Sequence, residues 1–123
     1  MDYGGYILIG LVAVFLLLRI LPTKGVKQIT TADLSKELQQ KQKQKQFIDV
    51  RTPAEFKARY ISGFQNIPLH QLNNKTINKL SKKEEVIVLC QSGMRSNKAC
   101  KTLKKMGFEK VTNVRGGISQ WNN

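Results

Sequence analysis

The run from Val86 to Ala99, Val-Ile-Val-Leu-Cys-Gln-Ser-Gly-Met-Arg-Ser-Asn-Lys-Ala, restricts the possible folds more than any other part of the chain. Four apolar, mostly β-branched residues bounded by polar ones read as a buried strand, and Cys90 stands at its carboxyl end. A short polar loop containing Gly93 follows, and helical periodicity resumes after Arg95. A strand that is apolar without alternation is covered on both faces, the pattern of a parallel sheet with helices on each side.

The loop between that strand and helix can close around an anion, because successive backbone N–H groups point inward and the new helix adds the positive end of its dipole. The same field favours thiolate over thiol, the reactive form of cysteine. Cys90 therefore reads either as a nucleophile that needs no histidine partner or as a small hydrophobe finishing a core strand.

Further apolar segments extend the pattern. Val26 to Ile29 reads as an edge strand, and Thr30 or Thr31 can cap a helix with Asp33 in its first turn and Leu34 and Leu38 on one face. The tract Gln39 to Gln46 alternates lysine and glutamine and reads as a solvated helix end or loop. Phe47-Ile48-Asp49-Val50 reads as a second strand, and Pro53 and Glu55 suit the first turn of the helix after it. A strand near Ile67, a helix through Ile77 and Leu80, and a last strand at Val111 to Val114 complete the series. Ala99, Cys100, Leu103 and Met106 fall on one helical face, which reads Cys100 as a core residue ahead of the alternative, a thiol that resolves an oxidised or sulfur-loaded Cys90, and Gly107 ends that helix. Five strands alternating with helices predict an α/β domain with a mainly parallel central sheet, whose site lies beyond the carboxyl ends of the strands, where Cys90 falls.

The amino terminus differs from the rest. From Gly4 to Leu18 no side chain is charged, and the apolar run continues past Arg19 to Pro22. At about 1.5 Å per residue, Tyr3 to Leu21 approaches the thickness of a bilayer core, which predicts one transmembrane helix as an anchor within residues 1–22, a linker at 23–25 and a domain over 26–123. Asp2 before the run and Arg19, Lys24 and Lys27 after it disfavour a cleaved signal peptide, and by the positive-inside rule they place the domain on the cytoplasmic side of the cell membrane.

The formal charge of +13 lies almost wholly in the domain, since Asp2 is the one charge before Arg19. For a tethered domain this basic excess fits an anionic lipid surface, and no aromatic platform interleaves with the lysines as in a nucleic-acid module. Cys90 and Cys100 are the only cysteines and His70 the only histidine, too few and too scattered for a disulfide framework or a metal site; no metal or cofactor is expected.

Four motifs in order, Phe47-Ile48-Asp49-Val50-Arg51 with Thr52-Pro53-Ala54-Glu55-Phe56, Asn66-Ile67-Pro68, Cys90 to Arg95 followed by Ser96, and Gly107-Phe108 leading to Gly116-Gly117-Ile118-Ser119-Gln120-Trp121, closely resemble those of single-domain rhodaneses, the sulfurtransferases. The resemblance covers residues 26–122 and implies a rhodanese-like α/β fold. It further implies that Cys90 is the catalytic nucleophile and that the amides of Gln91, Ser92, Gly93, Met94, Arg95 and Ser96 form an anion-binding loop, with Ser92 adding a hydroxyl and Gly93 permitting the turn. Asp49 and Arg51 would be scaffold support, and Arg95 would orient the loop, meet an anionic substrate, or pair with Asp49 or another acid. The chain departs from the family pattern between Arg59 and Phe64, where Arg59, Tyr60, Ser62 and Phe64 replace the usual Gly, His, Pro and Ala of a packing turn.

The function so implied is transfer of a sulfane sulfur from a small donor such as thiosulfate, through a persulfide on Cys90, to a thiol or other thiophilic acceptor. A cysteine phosphatase or arsenate reductase is a weaker reading, because those loops place five residues between cysteine and arginine and here there are four. The third reading is a tethered binding or protein-fed sulfur-relay module without small-donor catalysis.

Overall fold

The computed structural model describes residues 3–20, 25–40 and 44–122. After helix α1 (Gly4–Ile20), the chain runs β1 (Val26–Ile29), α2 (Thr31–Gln39), β2 (Lys45–Asp49), α3 (Pro53–Ala58), β3 (Gln65–Asn66), β4 (Glu85–Leu89), α4 (Met94–Lys105) and β5 (Val111–Val114), with short 3-10 turns at Leu69–Gln71 and Gly117–Gln120. The five strands form one parallel sheet in the order β1-β5-β4-β2-β3. This is the α/β architecture that the alternation of segments predicts.

Strand β4 lies in the middle, and its side chains divide by the period of two. Val86 and Val88, followed by Cys90, join Ile48, Val50 and the Ala99, Cys100 and Leu103 face of α4 in one buried cluster. Ile87 and Leu89 join Ile29, Val114, Leu34, Ile61, Phe64 and Ile118 on the opposite face. After β2 the chain moves outward to β3, and after β4 it moves the other way to β5, so β2 and β4 are neighbours whose connections depart in opposite directions. Such a reversal opens a crevice at the carboxyl ends of the strands.

Local chemistry explains the helix starts. Thr30 caps α2 by a reciprocal box with Asp33, and Thr52 caps α3 by the same device with Glu55, with Pro53 in the first turn. Within the segment that departs from the family pattern, Phe64 is buried and sets its ring 5.3 Å from that of Phe47, Ile61 is buried in the same cluster, and Tyr60 and Ser62 are exposed.

Three expectations need correction. The helix expected through Ile77 and Leu80 is a run of turns, because the Asn73 side chain accepts from the backbone N–H of Lys75 and Thr76 while Thr76 Oγ1 donates to Gln71 O at 2.6 Å. These local bonds compete with the helical ladder, yet Ile77 still reaches the core. The lysine–glutamine tract is not wholly solvated: Lys45 and Gln46 open β2, Lys45 pairs with Glu37, and the Gln46 amide exchanges bonds with the backbone of Ser81 at 2.8 and 2.7 Å, while residues 41–43 lie outside the described residues. The transmembrane helix is the third. Among the described residues no helix is long and apolar enough to cross a membrane, since α1 has 17 residues, and at about 1.5 Å per residue this falls short of the roughly 30 Å hydrocarbon core. Leu21 and Pro22, counted in the expected anchor, and Thr23 and Lys24 of the expected linker lie outside the described residues.

Candidate active site

The site is built on the carboxyl end of β4. Cys90 follows the strand directly and its side chain has no exposed surface. Its Sγ accepts from the Gly93 N–H at 2.9 Å and lies 3.2 Å from Ser96 Oγ, which in turn donates to Gly93 O at 3.1 Å. The loop can wrap so tightly because Gly93 has φ of +100°, a left-handed conformation that side chains resist. α4 begins at Met94, so its unpaired N–H groups and dipole start within four residues of the sulfur.

The loop is clamped from the other side by the turn after β5. Ile118 N–H donates to Cys90 O at 2.9 Å and Ser119 N–H to Gln91 O at 3.0 Å. Gly117 makes that approach possible, since a Cβ placed there would lie 2.4 Å from Cys90 O. The carboxyl-terminal glycine pair thus belongs to the site, a role that the sequence reading did not assign to it.

Asp49 and Arg51 are both buried and sit at the carboxyl end of β2, the strand paired with β4. The guanidinium meets both carboxylate oxygens, with Nη2 to Oδ2 at 2.7 Å and Nε to Oδ1 at 3.0 Å, and donates further to the carbonyls of Glu55 and Arg59. One charged pair therefore ties the end of β2 to both ends of the α3 segment. Among the described residues neither side chain hydrogen-bonds to Cys90.

Arg95 pairs with Glu55, not with Asp49. The fork is bidentate, Nη1 to Oε1 at 2.6 Å and Nη2 to Oε2 at 2.8 Å, and joins the first turn of α4 to the first turn of α3. The Arg95 guanidinium holds the Glu55 carboxyl well below the usual carboxylate range, at about 2, with the Thr52 cap bonds acting in the same direction and burial opposing them. Sequence reasoning read Glu55 only as a helix-start residue; its place in Thr52-Pro53-Ala54-Glu55 gave no sign of a partner forty residues away.

Of the other loop residues, Gln91, Ser92 and Met94 are exposed. The hydroxyl that meets the sulfur is that of Ser96, and among the described residues Ser92 makes no side-chain bond to Cys90. Cys100 is buried on α4 in the same cluster as Cys90, and burial, with the neighbouring Cys90, pushes its thiol up to about 12. A thiol so hard to ionise is a core residue and a poor attacking group. Among the described residues no group of three His, Cys, Asp or Glu side chains is arranged to hold a metal ion.

A single fully buried cysteine at a strand end, under a four-residue loop closed by arginine and serine, defines a class of site, and comparison with known proteins identifies it. The chain belongs to the rhodanese-like domain family, whose family model matches residues 30–123. It is 41% identical over 76 residues to the YqhL protein of Bacillus subtilis, covering 62% of this chain and 60% of YqhL, so it spans well under two thirds of that relative. A sulfurtransferase of Allochromatium vinosum is 36% identical over 74 residues, 60% of this chain and 68% of that protein. The crystal structure of a rhodanese-like domain protein from Staphylococcus aureus superposes with a TM-score of 0.71 at 33% identity, covering 80% of this chain and 93% of that one.

The Glu55–Arg95 fork gives a pH test. A carboxyl depressed to about 2 from 4.5 stabilises the folded chain above its unfolded value, and that contribution fades as pH falls from 4.5 towards 2. The thermal midpoint of wild type should therefore exceed that of Glu55→Gln near neutral pH, with the gap closing across that acid interval. A gap of constant size at every pH would contradict the assignment.

Proposed function

We propose that the protein is a thiosulfate-type sulfurtransferase in which Cys90 carries the transferred sulfur. The observation that carries this reading is the convergence of the Gly93 amide, the Ser96 hydroxyl and the α4 amino terminus on Cys90 Sγ. The Cys90 thiolate attacks the outer sulfur of the donor; the sulfur–sulfur bond of the donor breaks, its electron pair leaves with the departing anion (sulfite, from thiosulfate), and Cys90 becomes a persulfide. As the thiolate forms, Ser96 turns its hydroxyl from Gly93 O to the sulfur, and the loop's partial positive charge stabilises both the thiolate and the sulfane sulfur that follows. Cys90 is fully buried at rest, beneath a loop whose Gln91, Ser92 and Met94 are exposed. Likeness to a named sulfurtransferase supports the same reading.

Two features of the site weigh against phosphatase chemistry: four residues between Cys90 and Arg95 leave one amide fewer than that class uses, and Arg95 is committed to Glu55 instead of facing an oxyanion. A carrier fed only by a protein persulfide is the second reading, favoured by the closure of the loop over the sulfur.

We further propose that α1 associates with a membrane and leaves the basic domain on the cytoplasmic side. All the side chains described from Gly4 to Leu18 are exposed and none is charged, so the helix has apolar surface that the domain does not cover. A segment shorter than the hydrocarbon core can still be accommodated by local thinning of the bilayer.

The full chain and its Cys90→Ser and Cys100→Ser variants should be treated with thiosulfate and weighed by intact mass spectrometry, with thiocyanate measured after cyanide. Wild type and Cys100→Ser are expected to gain one sulfur and release thiocyanate, and Cys90→Ser to do neither; no gain by wild type would favour the protein-fed carrier. In fractionated cells the full chain should pellet with membranes and resist extraction by high salt or carbonate, and recovery in the supernatant would overturn the membrane proposal.

A further inference from the structure

The strands of the parallel sheet all begin at one end of the domain, and that end is rich in lysine. Lys104 and Lys105 close α4, Lys82 and Lys83 lie on the turn that enters β4, and Lys110 directly precedes β5. Backbone bonds hold these segments together: Glu109 N–H donates to Lys82 O and Val86 N–H to Lys110 O, both at 2.9 Å, and Lys104 Nζ donates to Glu109 O at 3.2 Å. All five except the half-buried Lys104 are exposed, and among the described residues none of them forms an ion pair. Of the acids at this end, Glu37 and Glu85 are bound to Lys45, and Glu85 also accepts from Thr112 Oγ1 at 2.6 Å. That leaves Glu84 and Glu109 against the five lysines.

The dipole of α4 accounts for Lys104 and Lys105, since cations are favourable in a last turn. It does not account for Lys82, Lys83 and Lys110, which belong to no helix. Charge alone does not single out this end, because Lys98 and Arg115 are exposed on the side of Cys90. The amino-terminal segment does. Gly25, where the chain enters β1, lies against Lys104, whose Cε would stand 3.3 Å from a Cβ placed there. Even fully extended, the chain from Ile20 to Gly25 spans at most about 17 Å, so a surface that holds α1 lies close to the lysine end. Exposed charges act over about 8 Å at physiological salt, and each lysine close to an anionic leaflet favours the bound state about fivefold.

We propose that Lys82, Lys83, Lys104, Lys105 and Lys110 dock the domain on an anionic phospholipid bilayer, a proposal that rests on the membrane reading of α1. Cys90 then faces away from the membrane. It follows the far end of β4, about 17 Å from Glu85 at roughly 3.3 Å per residue. Its reaction partners therefore reach it from the aqueous phase instead of from the lipid.

The test is lysine acetylation by a water-soluble active ester, read residue by residue by mass spectrometry on the full chain. The chain is mixed with vesicles of phosphatidylcholine alone or with one third phosphatidylglycerol, and flotation records binding to each. The five lysines should react at least about threefold more slowly with the anionic vesicles, the change expected when two thirds of the domains are docked, and raised salt should abolish the difference. Lys57 and Lys98, both exposed on the side of Cys90, are the internal controls and should keep their rates. The charge-reversed double variant Lys82→Glu with Lys83→Glu should lose the slowing at Lys104, Lys105 and Lys110, which remain as reporters.

Flotation with both vesicles but equal acetylation rates would overturn the docking surface and keep the membrane reading of α1. Slowing at the five lysines with anionic vesicles, without flotation on neutral ones, would do the reverse. Equal slowing at Lys57 and Lys98 would overturn the orientation, and slowing by duplex RNA but not by vesicles would assign the lysines to nucleic acid and overturn the proposal.

Discussion

The structure depends on how the loop after β4 is held. Its two ends are fixed by different parts of the chain: Cys90 O and Gln91 O accept from Ile118 and Ser119 after the last strand, and Arg95 is gripped by Glu55 from α3. Between these clamps the backbone has one way to turn, through the left-handed Gly93, and that turn aims an amide at the sulfur. A short loop with both ends fixed loses little further freedom when it binds charge, which is the condition for electrostatic stabilisation at low cost.

The two arginines of the family motifs illustrate how differently the same side chain can be used. Arg51 is buried with Asp49 and donates to two carbonyls as well, so its donors are satisfied where no water reaches them. Removing one partner from such a pair generally costs about 3–5 kcal/mol because the other charge is stranded. Arg95 is about a third exposed, as is its partner, and there the fork contributes geometry more than stability. It fixes the first turn of α4 relative to α3 and so sets where the helix dipole meets Cys90.

Much of this was legible in the chain. The unbroken apolar run from Val86 to Leu89, Thr30 as one of two cap candidates, Pro53 and Glu55 as first-turn residues and the apolar face of α4 are local signals, and each appears in the fold where its signal puts it. Long-range partners were not legible. Nothing near Glu55 in sequence marks Arg95 as its partner, and nothing near Gly117 marks the Cys90 carbonyl against which it packs. The Asn73 to Leu80 segment carries helical spacing, and side-chain bonds from Asn73 and Thr76 prevail over it. The apolar run from Tyr3 to Leu21 reads by hydropathy as a span, and among the described residues the helix there has 17 residues, shorter than the hydrocarbon core of a bilayer.

The central claim is that the loop stabilises an anionic sulfur on Cys90 through donors aimed at it, and Ser96 is the side chain that tests it most directly. The measurement is the rate of sulfur loading from thiosulfate in Ser96→Ala against wild type, with the thermal midpoint of each recorded alongside. The account predicts a rate at least about tenfold lower with the fold retained, as expected for the loss of one donor to a developing charge. An unchanged rate in a folded Ser96→Ala protein would contradict it.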